Sequence, residues 1–132
     1  MSFKWQMLVV YTALSAVPVL ARVDLELRPA SARYQPGQTV EIGLYAVSDD
    51  ASSQGVRGMQ VVLQWNPSYL ALDPVQPNVN NGPYAWLISG FLPDSGADGL
   101  NDTFVDGNAY YQAVGNFSSL AYATPAGLLV TT

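Results

Sequence analysis

The residues able to do chemistry are few. Asp94, Asp98 and Asp102 recur at every fourth position of the run Asp94-Ser95-Gly96-Ala97-Asp98-Gly99-Leu100-Asn101-Asp102. Carboxylates at the first, fifth and ninth places of a loop, with glycine at the sixth, resemble the opening of a calcium site, and Ca2+ wants about six to eight oxygens. The twelfth place, where a bidentate acid usually closes such a loop, is Val105, and Gly96 stands where a third-place ligand would. A solvated turn of residues that tolerate left-handed backbone accounts for the same run, so no cofactor is required. Glu26 and Glu41 are the only glutamates, each set between apolar neighbours. A glycosidase needs two carboxylates flanking one bond, whereas these two belong to different expected strands and point to solvent. The chain has no His and no Cys, which removes imidazole bases, thiolate nucleophiles, structural zinc and iron-sulfur ligation. A non-enzymatic module is expected.

Aromatic and amide side chains are the alternative source of function. Tyr84, Trp86 and Phe91 follow the loop Asn78-Val79-Asn80-Asn81-Gly82. If Tyr84 and Trp86 were exposed they could stack on a sugar ring while the amides bonded its hydroxyls; if they alternate within a strand they fill a core. Tyr110 and Tyr111 point to opposite faces of an extended backbone, so one of them faces out, where Tyr suits a protein interface. Asn101-Asp102-Thr103 and Asn116-Phe117-Ser118 fit the N-glycosylation sequon, which acts only in a eukaryotic secretory route.

The 132 residues are 49% hydrophobic and 11% charged, with net charge −5. One domain is the upper bound. A negative chain without a basic cluster repels a phosphate backbone, so nucleic acid is not an expected partner. Residues 1–6 carry Lys4, residues 7–20 carry no charge, and Val19-Leu20-Ala21 offers small residues to a signal peptidase. About 14 residues span about 21 Å as a helix, short of a hydrocarbon core of roughly 30 Å. The segment therefore reads as a signal peptide over 1–21, removed after Ala21, leaving one domain over 22–132 and no membrane span in the mature chain. The product is secreted, extracellular or at the cell surface, and a Cys-free exported domain suits a bacterial source.

The elements that must position these residues read as strands. Val23-Asp24-Leu25-Glu26-Leu27 alternates, Pro29 ends it, and Gln35-Pro36-Gly37-Gln38 is a turn before an expected strand over 39–47. Residues 48–54 read as a solvated connection. Over 58–65, Met59, Val61, Leu63 and Trp65 take one face, while Gly58, Gln60, Val62 and Gln64 take the other. Asn66-Pro67 stops that strand, and Tyr69-Leu70-Ala71-Leu72 is expected to resume it. Residues 84–92 are aromatic and apolar, and further strands are expected at 109–114 and 120–122, and from Gly127 to Thr132, where the last breaks off. No helical spacing with caps occurs outside the leader. The fold class expected is all-β, an antiparallel sandwich with its last strand cut short.

The run Gly55-Val56-Arg57-Gly58-Met59-Gln60-Val61-Val62-Leu63-Gln64-Trp65-Asn66-Pro67-Ser68-Tyr69-Leu70, preceded by Pro36-Gly37-Gln38-Thr39-Val40, resembles the cohesin family. The likeness covers residues 23–132 and is greatest to cohesin-like secreted proteins of planctomycete-type bacteria. It implies a nine-stranded jelly-roll sandwich without catalysis that recognises a dockerin module in polysaccharide-degrading systems. It places the partner-binding residues on the outward side of the third strand, at Gly58 and Gln60, to which the period of two adds Val62 and Gln64. Gly58 and Gln60 stand where dockerin binders often present Asn and Asp. A polysaccharide-binding module of the same architecture, or a structural module of a surface protein, fits the same residues.

Overall fold

In a computed structural model the chain is described over residues 22–72, 82–91 and 106–132. These residues form eight strands and no helix: β1 (Val23–Pro29), β2 (Ile42–Ser48), β3 (Gln54–Val56), β4 (Gly58–Gln64), β5 (Ile88–Phe91), β6 (Asn108–Val114), β7 (Ala121–Ala123) and β8 (Leu128–Thr131). Every ladder is antiparallel, in three sheets of order β1-β2-β8, β3-β7 and β4-β6-β5. The fold is all-β and sandwich-like. Among the described residues no helix is long and apolar enough to cross a membrane.

Alternation decides the register. Leu25 and Leu27 pair with Ala46 and Leu44 on the inner side of the first sheet, which leaves Asp24, Glu26 and Arg28 opposite Val47, Tyr45 and Gly43 on the outer side. A one-residue slip would drive three charges into the core, so the pattern excludes it. β8 joins β2 through a bulge, Tyr45 facing Leu129 and Leu44 facing Thr131, with Val130 as the extra residue. Val130 is fully buried there, and its carbonyl accepts the Trp86 indole N–H at 3.2 Å.

The three sheets share one buried cluster: Leu44 and Ala46 from β2, Val56, Tyr111, Ala113, the β7 alanines, Trp86 and Val130. Tyr111 is its largest fully buried side chain, and Phe91 meets it edge to face at 5.4 Å. Small alanines opposite large rings let the layers interdigitate at the density of a protein interior. Burial holds the Tyr111 hydroxyl above its ordinary pKa, against the opposing pull of the Thr131 and Ser89 hydroxyls.

β3 and β4 are one run that changes sheets at Arg57. Its partner does the same: Val114 faces Gly58, the Gly115 N–H donates to the Arg57 carbonyl, and Ala121 then faces Val56. Residues 116–120 are therefore looped out of a ladder that resumes in register. At the far end the Trp65 N–H donates to the carbonyl of Gly107 at 2.8 Å. Gly107 has φ +96°, and a Cβ there would stand 2.8 Å from the Trp65 carbonyl oxygen, so this close approach excludes a side chain.

Some expectations change. The second strand begins at Ile42 rather than Thr39, and Gln54, read as the end of a connection, opens a strand over 54–56 that was not expected. Residues 69–72 do not resume a strand: Tyr69 and Leu70 donate their N–H groups to the Asn66 carbonyl, and the Asn66 side chain accepts from Ser68 N–H, which closes a turn. The apolar stretch 84–92 supplies only the four-residue β5.

Candidate recognition surface

Gly58, Gln60, Val62 and Gln64 lie together on the outer face of β4, all exposed, Val62 at 41%. Met59, Val61 and Leu63 turn half-buried toward the interior. The β6 register then completes the face, which the single strand did not reveal. Val114 stands beside Gly58, Gln112 beside Gln60, Tyr110 beside Val62 and Asn108 beside Gln64. β5 adds Ile88, 52% exposed, beside Val114, and Gly90 beside Gln112. Of the adjacent tyrosines, Tyr110 belongs to this face and Tyr111 to the core. The signal for the second row was present in the sequence, because 108–114 alternates with period two. Which strand it accompanies is a long-range fact.

The surface so built carries no ionisable acid or base apart from the Tyr110 phenol. The side-chain amides of Gln60, Gln64 and Gln112 make no hydrogen bond among the described residues. Each amide offers donors and acceptors without the desolvation cost of an ion. An open depression of about 350 Å³ lies between Gly58, Gln60, Gln112 and Val114. A Cβ on Gly58 would stand 3.1 Å from the Ala113 carbonyl oxygen, a tight fit against the neighbouring strand.

Tyr84 and Trp86 are elsewhere and already engaged. Trp86 is only 6% exposed. Tyr84 packs edge to face on it at 4.8 Å, and the Tyr84 hydroxyl accepts the Asn116 N–H at 2.6 Å while donating to the Ser119 carbonyl at 2.8 Å. Of the two readings of this pair, the rings serve the core and clamp the looped-out 116–120 segment; no sugar platform is exposed by Trp86. Within that segment the Asn116 side chain accepts from the Ser118 N–H and hydroxyl, and Phe117 stands 86% exposed. No sequence pattern flagged Phe117, because an exposed apolar residue is recognisable only against a fold.

Asp94, Asp98 and Asp102, with the sequon at Asn101, lie outside the described residues. Among the described residues no three acidic side chains cluster as a metal site would. Asp50, read from sequence as surface, is the hub of the β2–β3 connection. It accepts from Ser52 N–H and Ser52 hydroxyl at 2.6 Å each, from the Ser48 hydroxyl at 3.2 Å and from Gln54 at 3.1 Å. The Ser52 bonds, first the hydroxyl and then the N–H, hold its carboxyl below the usual carboxylate range.

Compared with protein-family models, curated proteins and solved structures, the chain matches none.

Proposed function

We propose that residues 22–132 form an exported, non-catalytic recognition module of cohesin-like, nine-stranded jelly-roll type, and that the outer face of β4-β6-β5 binds a protein partner of dockerin type in an extracellular polysaccharide-degrading or adhesion assembly. The observation that carries this reading is the pairing of Gln60, Val62 and Gln64 with Gln112, Tyr110 and Asn108 on one face without charged side chains, over a strand scaffold that fixes their spacing. Tyrosine and apolar spots among uncharged amides match the core of a protein interface, where charged residues are depleted. The leader over 1–21 delivers the module outside the cell, and intact Met1 on exported protein would remove that part of the reading.

Changing Gln60 and Val62 together to Lys tests the face. Against immobilised recombinant dockerin modules, the change is expected to weaken binding at least tenfold with thermal unfolding shifted by less than about 0.5 kcal/mol, as for exposed positions. Equal binding by the two proteins would remove this face. Retention of the unaltered protein on cellulose or xylan, with no dockerin bound, would replace the reading by a carbohydrate-binding module.

A further inference from the structure

Leu25 and Leu27 are exposed on the wrong side. They share the inner face with their cross-strand partners Ala46 and Leu44, which are 0% and 2% exposed, yet they themselves are 39% and 52% exposed. β1 is an edge of its sheet, and among the described residues nothing pairs with its outer edge. The same residues leave their backbone open. The Arg22 carbonyl accepts from Asp49 and the Ala30 N–H donates to Glu41, so the even-numbered residues of β1 bond to β2. Val23, Leu25 and Leu27 consequently aim their N–H and C=O groups out of the edge. An apolar side and a hydrogen-bonding edge are thus open together at Leu25 and Leu27, which is the template that an added strand requires.

We propose that β1 pairs antiparallel with β1 of a second copy of this chain, across a two-fold axis beside Glu26. The charge pattern selects this occupant and its register. Along the outer face β1 reads Arg22 positive, Asp24 negative, Glu26 negative and Arg28 positive. Keeping inner faces together allows shifts of two residues only. Pairing centred on Leu25 would set Arg22 against Arg28 and Asp24 against Glu26, four repulsive contacts. Centring on Glu26 sets Asp24 against Arg28 twice and Leu25 against Leu27 twice, with about six main-chain bonds across the seam. The only like pair is Glu26 with its own copy, and each keeps its Arg28 at 2.8 Å. Centring on Leu27 retains ion pairs but places Pro29, which has no N–H to give, opposite Leu25 in the middle of the seam, whereas centring on Glu26 leaves it at the margin opposite Val23. The result is a continuous six-stranded sheet whose four seam leucines cover one another, in the isologous symmetry usual for dimers.

Sedimentation of the full chain up to about 1 mM is the test, in the range where a small interface associates. A reversible dimer is expected. Leu27→Lys, which places a charge at the seam, should weaken it at least tenfold while leaving circular dichroism and the melting temperature of dilute protein unchanged. Asp24→Arg and Arg28→Asp should each weaken it, and the two together should restore it, an outcome that general destabilisation would not give. A chain that stays monomeric at the highest concentration overturns the proposal, as does a dimer indifferent to Leu27→Lys. A dimer lost instead on changing Gln60 and Val62 also overturns it and moves self-association to the β4-β6-β5 face, so the two surfaces fail separately.

Discussion

On the outer face of β1-β2-β8, Arg22 binds Asp24 at 2.7 Å, and Arg28 binds Glu26 at 2.8 Å, lies 4.5 Å above the Tyr45 ring and donates to the Ala126 carbonyl. Across the core, the outer face of β4-β6-β5 carries amides, Val62, Val114, Ile88 and Tyr110, and its glutamines bond to nothing described. Both faces are polar by composition. One has used its hydrogen-bonding capacity largely within its own strand pair, and on the other the amides of Gln60, Gln64 and Gln112 keep theirs turned to solvent. Polarity by itself therefore does not distinguish the two faces; the commitment of their donors and acceptors does.

The contrast between inward and outward positions is largest at the adjacent tyrosines. Tyr111→Ala empties the centre of the core and is expected to cost about 3 to 5 kcal/mol, against about 1 kcal/mol or less for Tyr110→Ala on the open face. Urea unfolding of the two variants measures both, and equal losses would break the distinction between the faces. Next in size, Leu63→Ala on the inner side of β4 is expected to cost about 2 kcal/mol, at the low end for leucine because the side chain is only half buried. Smaller again is Arg28→Gln on the paired face. An exposed ion pair and one cation–π contact are worth about 1 kcal/mol together, and the loss should shrink as salt is raised. A loss on the charged face that ignores salt would assign the effect to packing.

Acid should separate the faces too. The Arg22 side-chain bond holds the Asp24 carboxyl below its usual range, as the Ser52 bonds do for Asp50. A carboxyl with a depressed folded pKa contributes stability that is complete above the ordinary value and is lost as pH falls through the lowered one. The melting temperature is therefore expected to decline below about pH 4, and Asp24→Asn together with Asp50→Asn should flatten that decline.

Much of the fold was legible because alternation is a local property. The run Met59 to Trp65 names its own inward residues, and β1 and β6 do so nearly as well, whereas β8, bulged at Val130, does not. What was not legible depended on partners distant in sequence. β3 holds Gly55 and only three residues, and it becomes a strand because β7 lies beside it. Residues 69–72 look extended until Asn66 folds its side chain and carbonyl back upon them. The candidate face divided in the same way: its β4 half follows from period two, while Gln112, Tyr110 and Ile88 join it only through register. Trp86 left two readings open because an aromatic beside an Asn-rich loop looks the same from sequence whether its ring meets water or Val130.

The looped-out residues 116–120 have a practical consequence. The ladder on either side resumes in register and Tyr84 grips both ends, so the length of this excursion is decoupled from the sheets. Lengthening a closed loop costs only about 0.6 kcal/mol per doubling. A peptide epitope or a fluorophore-bearing tag grafted at Phe117 would ride on a fixed mount, outside every ladder, and would report on assembly without entering a strand pair.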